Sequence, residues 1–156
     1  MTLDELAARE ALRELVAAYA HLADAGRLDE LLALFADDGV LRIDDRQPLV
    51  GRDAIRTFLG GTRADVRASA RTRPLIRHHV SNLRLVVETP EAARGEAYFL
   101  VVTDRGPDHW GRYRDRYVRA GDAWRFAERH VRVDGMAAGS WAAERRARQA
   151  AADAAR

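Results

Sequence analysis

The spacing of hydrophobic residues changes near Pro74, and this change limits the folds open to the chain. Before Pro74, apolar residues such as Leu12, Leu15 and Tyr19 recur three or four positions apart, which is the spacing of an amphipathic helix. After Pro74, apolar and polar residues alternate in successive segments, which is the pattern of half-buried β-strands. Helices first and strands later predict an α+β fold.

The first half of the chain contains three predicted helices. A helix of about five turns ends near Gly26, a residue type suited to the left-handed conformation that closes many helices. A short helix in LDELLALF ends at a turn formed by residues 37–39, and VLRI follows as a short strand. The segment GRDAIRTFLGG predicts a third short helix bounded by glycines. The arginine-rich stretch after it is expected to be a mobile loop, with a lid as one role.

The second half contains four predicted strands joined by short turns. They are LIRHHVSNLRLVVE, ARGEAYFLVVTD, HWGRYRDRYVRA and DAWRFAERHVRVD. Strands with short links pair most simply as an antiparallel meander. We therefore expect a cone-shaped α+β barrel, in which three N-terminal helices pack on one face of a strongly curved antiparallel sheet and enclose a pocket.

Length and composition indicate one domain followed by a tail. Residues 1–134 are long enough to bury a core without disulfides. Residues 135–156 are rich in alanine and arginine and contain little to bury apart from Trp141. This tail is expected to be a frayed helix or disordered.

Composition excludes several classes of function. The chain contains no cysteine, which rules out disulfides, zinc-thiolate sites and thiol nucleophiles. It contains no lysine, which rules out Schiff-base chemistry. A net charge of +2 is a weak indication of nucleic-acid binding, and the N-terminus has neither a signal-peptide nor a membrane-span pattern. We expect no nucleic-acid or membrane partner and a cytoplasmic location.

Two adjacent histidines stand at the start of the first long strand. Because neighbouring strand residues point to opposite faces, His78 should share a face with Asn82 while His79 points the other way. Asp24 lies at the end of the first helix, and a helix carboxylate that meets a strand imidazole is a general-base arrangement. The residues alone leave an alternative open, in which Asp24 merely ends the helix and His78 is a structural core histidine.

A metal site is a further alternative. His21 and Asp24 lie one helical turn apart and could meet His78 or His79. Such loose spacing is common by chance, so we expect no metal ion. His109 is expected at the surface or at a strand edge.

Several segments, in order and spacing, resemble one known family. They are LVAAYAHLADAGRLDELLALFADDGVLRI, GRDAIRTFL, HHVSN and GRYRDRYVRAGDAWRFAERHV. Together they resemble the SnoaL-like branch of the nuclear transport factor 2-like superfamily, the branch of polyketide cyclases, scytalone dehydratase and the hexachlorocyclohexane dehydrochlorinase. The resemblance covers residues 5 to about 134. It implies the cone-shaped fold, a pocket and frequent dimerisation through the sheet.

The resemblance also implies roles for individual residues. The aspartate and histidine of the catalytic pair fall on Asp24 and His78, and a pocket arginine falls on Arg129. Phe99 stands about where scytalone dehydratase has a second catalytic histidine. The residues expected to bind substrate are Tyr19, Asn82, Phe99, Tyr113, Asp115 and Arg129.

Two functional hypotheses follow. The first is a cofactor-independent enzyme in which Asp24 and His78 remove a proton from an apolar, aromatic or polyketide-like substrate, with dehydratase, cyclase and isomerase all open. The second is a pocket protein without turnover, which binds an apolar small ligand or serves as a dimeric accessory subunit. Both imply a small-molecule partner and a homodimer.

Overall fold

The structure is a computed structural model that describes residues 1–155. Arg156, the last residue of the predicted tail, lies outside the described residues. The elements of the described chain are α1 (Leu3–Ala25), α2 (Leu28–Ala33), β1 (Phe35–Ile43), β2 (Leu49–Val50), α3 (Arg52–Ser69), β3 (Ile76–Thr89), β4 (Ala92–Thr103), β5 (Gly106–Ala120), β6 (Ala123–Met136) and α4 (Trp141–Ala154).

The strands form one curved, open sheet in the order β2-β1-β6-β5-β4-β3. Strands β3 to β6 form the predicted antiparallel meander. Strand β1 lies parallel to β6 and antiparallel to β2. Helix α1 packs on β3 and β6, and α3 packs on β1. The predicted α+β fold, with N-terminal helices on a curved sheet, is confirmed.

Helix α1 ends where the sequence predicts. Its start is capped by the hydroxyl of Thr2, which accepts a hydrogen bond from the backbone N–H of Glu5. At its end, Gly26 adopts a φ of 68°, and its N–H donates to the carbonyl of Ala23. This termination places the last turn of α1 beside the start of β3.

Helix α3 is longer than predicted. It continues through Gly60 and Gly61 and contains 18 residues, so the glycine pair does not end it. A glycine inside a helix costs about 1 kcal/mol relative to alanine. Burial of Ile55 and Val66 on one face of α3 offsets that cost. The predicted lid loop is reduced to residues 70–75.

The turn predicted at residues 37–39 lies inside β1. The pairing of β1 with β6 shifts register between Phe35 and Val40, so these residues form an irregular part of the strand. The guanidinium of Arg52 donates to the carbonyl of Phe35 and ties the start of α3 to this segment.

The alanine- and arginine-rich tail forms α4, and its first turn is anchored to the domain. The hydroxyl of Ser140 accepts a hydrogen bond from the N–H of Ala143. The carboxylate of Asp108, on β5, accepts from the N–H groups of Trp141 and Ala142. Trp141 is only 6% exposed. The start of α4 is therefore part of the packed structure.

The hydrophobic core lies between the helices and the sheet face that they cover. Its larger cluster includes Leu12, Leu32, Phe35 and Phe126, all almost completely buried. A smaller cluster around Phe99 extends the core along β4 and β5. No helix among residues 1–155 is long and apolar enough to cross a membrane.

Candidate active site

A cavity of about 1050 Å³ lies between the helices and the sheet. Its walls come from α1, α3, α4 and the strands β3 to β6. This volume suits a small organic ligand. Apolar side chains supply much of the lining, including Leu22, Phe58, Leu59, Phe99, Val131 and Val133.

Asp24 and His78 meet at one wall of this cavity. The Nδ1 atom of His78 lies 2.7 Å from the Oδ1 atom of Asp24. The backbone N–H of His78 donates to the same carboxylate, at 3.2 Å from each oxygen. Both side chains line the cavity and are largely buried, at 16% and 13% exposure. The last turn of α1 thus holds His78 both by its imidazole and by its backbone.

This arrangement leaves the Nε2 atom of His78 for a ligand. When Nδ1 carries the hydrogen that Asp24 accepts, Nε2 presents a lone pair and can act as a base. A carboxylate that orients an imidazole in this way also stabilises the imidazolium formed by proton transfer. The pair therefore has the geometry of a general base.

Tyr19, Phe99 and Tyr113 form an aromatic cluster in the lining. The rings of Phe99 and Tyr113 are stacked with centroids 4.6 Å apart, and Tyr19 meets Tyr113 edge to face at 6.5 Å. Burial raises the pKa of both tyrosines above its ordinary value. Both phenols are therefore protonated at neutral pH and can donate a hydrogen bond to a substrate oxygen.

Arg129 and Asp115 do not line the cavity but lie behind the wall formed by the tyrosines. Their side chains are completely buried and form a two-bond ion pair at 2.9 and 2.7 Å. The Tyr117 hydroxyl donates to Asp115 at 2.9 Å. Burial alone would lower the pKa of Arg129. The charge and hydrogen bonds of Asp115 outweigh this effect and raise the pKa above its ordinary value. The Nη1 atom of Arg129 has no hydrogen-bond partner among the described residues. In contrast to the sequence expectation, the pair supports the wall from behind and does not line the cavity.

The Arg129 guanidinium is also enclosed by aromatic rings. Its central carbon lies 4.2 Å from the ring centroids of Tyr19 and Tyr113 and 4.3 Å from that of Phe126. Asp115 and Arg129 therefore hold the positions of the two tyrosines that do face the cavity.

Asn82 also lies outside the cavity, in contrast to the sequence expectation. It is exposed and has a φ of 55°, a conformation that asparagine tolerates better than most residues. The pairing with β4 jumps from Ser81 to Arg84, so the strand contains a bulge at this point. The extra residue reverses the alternation and turns Leu83 inward against the core. His79 is exposed, as the alternation before the bulge predicts.

His109 lines the cavity, so the expectation of a surface or strand-edge position is wrong. Its Nδ1 atom lies 2.8 Å from the Oδ1 atom of Asp108, and its side chain is 16% exposed. The pairing of β4 with β5 shifts at Asp108, so this residue is an unpaired bulge residue next to His109. Strand alternation therefore fails here, and a simple period of two could not reveal the contact.

Asp108 is held as an anion by several donors. Burial alone would raise its pKa, but the hydrogen bond and charge of His109 and the N–H groups of Trp141 and Ala142 together lower it. Asp108 is completely buried. The cavity therefore contains a second histidine with a carboxylate on Nδ1.

The two cavity histidines stand in one row across the sheet. His78 pairs with Val101 on β4, and Val101 pairs with His109 on β5. Residues directly opposite each other in neighbouring strands point to the same face. With strands about 4.8 Å apart, the Cα atoms of the histidines are roughly 10 Å apart.

The metal alternative gains no support from the fold. Within residues 1–155, no group of three or more histidine and carboxylate side chains is arranged to hold a metal ion. His21 is exposed and does not line the cavity with Asp24.

Other cavity residues could not be predicted from the sequence, because they lie on α4 and on the part of α3 that extends beyond the predicted helix. Trp141 and Arg145 come from the tail, and Arg63 comes from the part of α3 beyond the glycine pair. The unexpected length of α3 and the packing of α4 bring these residues to the site. The large aromatic side chain of Trp141 in a tail rich in alanine and arginine was the available signal.

With this geometry in place, the family can be assigned. The sequence matches the profile of the SnoaL-like domain over residues 4–130. The chain belongs to the SnoaL-like domain family. The predicted resemblance is therefore confirmed, and the match ends before α4. No protein among those with curated functions matches this SnoaL-like domain.

Solved structures share its fold. A protein of Novosphingobium aromaticivorans DSM 12444, provisionally named a scytalone dehydratase, superposes with a TM-score of 0.76 at 23% identity, covering 88% of this chain and 91% of that protein. LinA superposes with a TM-score of 0.74 at 20% identity, covering 88% and 94%. A Catenulispora acidiphila protein in complex with S-DNPA reaches 0.70 at 28% identity, covering 83% and 95%. These superpositions show that the chain shares the fold of those proteins over most of its length.

Proposed function

We propose that this SnoaL-like domain is a small-molecule lyase or isomerase in which His78 removes a proton from carbon and Asp24 orients and stabilises the imidazole. The observation that carries the proposal is the 2.7 Å contact between the Nδ1 atom of His78 and the Oδ1 atom of Asp24 at the cavity wall. The side chains of the chain supply the base, so this step requires no cofactor.

The proposed step is an elimination with His109 as the proton donor. The Nε2 atom of His78 takes a proton from a substrate carbon, and the C–H electron pair becomes the new double bond. The bond to the leaving oxygen breaks, and that oxygen leaves as water with a proton from the Nε2 atom of His109, which enters the step as an imidazolium paired with Asp108 and ends it as a neutral imidazole. The row formed by His78, Val101 and His109 supports separate roles for a base and a proton donor. The Cα atoms of the two histidines are roughly 10 Å apart, which leaves room for a small molecule between their side chains. Solvent then returns both histidines to their starting states.

We propose an apolar, aromatic or polyketide-like substrate with an oxygen next to the reacting carbon. The stacked Phe99 and Tyr113 offer a flat wall to a ring, and the phenols of Tyr19 and Tyr113 can donate to the oxygen. A cyclase would use the same proton abstraction. The relative provisionally named a scytalone dehydratase makes dehydration the first reaction to test.

A panel of aromatic β-hydroxy ketones, followed by the absorbance of the conjugated product, tests this function. We expect turnover by the wild type and a loss of about 10²- to 10⁴-fold in kcat/KM for His78→Ala. His79→Ala is the matched control, because His79 is the adjacent histidine on the exposed face and should keep full activity. Equal activity of His78→Ala and the wild type would overturn the proposed base. Ligand binding without turnover of any substrate would favour the pocket protein.

We also propose that the domain forms a homodimer through the outer face of the sheet. Three large apolar side chains are exposed there, namely Tyr98 at 55%, Leu100 at 36% and Trp110 at 41%. They are neighbours on β4 and β5, and exposed apolar clusters of this kind are typical of interfaces. Light scattering at micromolar concentration should give twice the mass of the chain, and Leu100→Arg should give the single mass. A monomeric wild type would contradict the proposal.

A further inference from the structure

Arginines are concentrated around the cavity where α3, α4 and the segment before β3 approach each other. Those that line it are Arg46, Arg63, Arg67, Arg73, Arg77, Arg145 and Arg146. Among residues 1–155, only Arg145 of this group has a carboxylate partner, Asp65 at 3.7 Å. The other members of the group have no ion pair with any described residue.

Most arginines elsewhere in the structure are paired. Arg42 contacts Glu128 at 2.7 Å, and Arg112 contacts Asp134 at 2.9 Å. A general arginine excess would leave unpaired guanidinium groups scattered over the whole surface. Their concentration around the cavity therefore points to a local function.

The carboxylates of the cavity do not neutralise these arginines. Asp24 is bound to His78, and Asp104 accepts the backbone N–H groups of Arg71 and Thr72. Asp44 accepts the backbone N–H of Val133. The fourth carboxylate of the lining, Asp45, pairs with Arg132 at 2.9 Å. Seven arginines and four carboxylates line the cavity, which therefore keeps an excess of positive charge. A cleft with unmatched charge of one sign concentrates ligands of the opposite sign.

Arg63 is the best placed of these arginines. It is half-buried, and its guanidinium lies against Gly26 at the end of α1. A Cβ atom on Gly26 would lie 1.4 Å from the Nη1 atom of Arg63, so a larger residue at position 26 would push the guanidinium out of this place. Gly26, two residues after Asp24, therefore both ends the helix and makes room for the Arg63 guanidinium.

We propose that the cavity binds an apolar small molecule that carries an oxyanion, and that Arg63 and the unpaired arginines around it hold this group. Guanidinium groups bind carboxylate and phosphate oxygens through two parallel hydrogen bonds. The anionic end would lie at the arginines, and the apolar body would reach the aromatic wall beside His78. This assignment of substrate class rests on the proposed function, but the binding itself requires no turnover.

Three probes that share one apolar body separate charge from shape. They are 2-naphthoate, methyl 2-naphthoate and 2-naphthyl phosphate, measured by calorimetry in 50 mM and 500 mM NaCl. We expect 2-naphthoate to bind at least about tenfold more tightly than its ester at low salt, and the difference to shrink at high salt. Tighter binding of 2-naphthyl phosphate would identify phosphate as the preferred oxyanion, and tighter binding of 2-naphthoate would identify carboxylate. Both results support the proposal.

Arg63→Gln should weaken binding of 2-naphthoate about tenfold and leave the ester unchanged. Arg84→Gln is the matched control, because Arg84 is exposed on β3, outside the cavity, and its loss removes the same charge. His78→Ala should still bind 2-naphthoate, so a failed base and a failed oxyanion site give different results. Equal affinities for acid and ester, including no binding of either at 1 mM, would overturn the proposal. Equal effects of the Arg63 and Arg84 variants would overturn it as well.

Discussion

Two carboxylates of this molecule each hold a cationic or basic partner, and their surroundings differ sharply. Asp115 and Arg129 are completely enclosed, with Tyr117 as an additional donor. Asp24 and His78 form a contact of the same length, 2.7 Å, but both reach the cavity. The sequence predicts all four residues in one pocket.

The comparison separates a structural pair from a reactive one. A guanidinium stays protonated in proteins, so the Asp115–Arg129 pair can hold side chains in place but cannot exchange a proton with a ligand. An imidazole can both accept and release a proton, and the His78 side chain lines the cavity with only its Nδ1 atom bound to Asp24. Access and the identity of the base distinguish these pairs, whereas contact distance does not.

Double substitution of the reactive pair should have the largest effect. His78→Ala and Asp24→Asn should each lower kcat/KM by about 10²- to 10⁴-fold, while the fold is retained. The double variant should be little worse than His78→Ala, because Asp24 acts through the imidazole. Kinetics on the four proteins, with circular dichroism of each, checks this. Fully additive losses would show that the two residues act independently.

Disruption of the enclosed pair should act on stability. Arg129→Met leaves the Asp115 carboxylate buried and unpaired, which should lower the free energy of unfolding by about 3–5 kcal/mol. Adding Asp115→Leu should restore much of it, because no uncompensated charge remains. Urea unfolding measures both effects. A strong loss of activity in Arg129→Met at unchanged stability would instead assign Arg129 to the reaction.

The second histidine should have a smaller effect on catalysis. His109→Gln should lower kcat/KM by about 10²-fold on a β-hydroxy substrate, because glutamine cannot transfer a proton to the leaving oxygen. The loss should largely disappear on the matching β-acetoxy substrate, whose leaving group departs as a stable anion without being protonated. Equal losses on both substrates would indicate a purely structural role of His109.

The smallest effect concerns stability in acid. The pKa of Asp108 is lowered in the fold, so its contribution is present above the unfolded-state value near 4 and is lost as pH falls through the folded-state value. Asp108→Asn should lower the free energy of unfolding at pH 7 by about 0.3–2 kcal/mol, because it removes a negative charge from the N-terminus of α4. The difference from wild type should shrink toward pH 3. Urea unfolding across this range checks it, and a constant difference would contradict the assignment.

The regular parts of the fold could be predicted, because hydrophobic spacing reports helices and strands directly. Gly26 marked the end of α1, and the strand at His78 placed this residue opposite the helix. The prediction failed at the bulges containing Asn82 and Asp108, since one inserted residue reverses which side chains face inward.

The placement of Arg129 could not be predicted for a different reason. An arginine can be buried behind a cavity wall when a carboxylate on a neighbouring strand forms an ion pair with its guanidinium group. Asp115 lies opposite Arg129 in the register of β5 and β6, and that register is a property of the assembled sheet. Likewise, burial of its apolar face carried α3 through two glycines that local propensity alone would treat as an end.

The anchoring of α4 gives the tail a thermodynamic connection to whatever occupies the cavity. Trp141 and Arg145 line the site, while Asp108 holds the start of their helix and also contacts His109. A molecule that contacts these side chains binds the docked tail more strongly than the detached tail. By reciprocity, the docked tail strengthens binding of that molecule by the same factor. Retention of ligand and order of the C-terminal helix are therefore two measures of one coupling free energy.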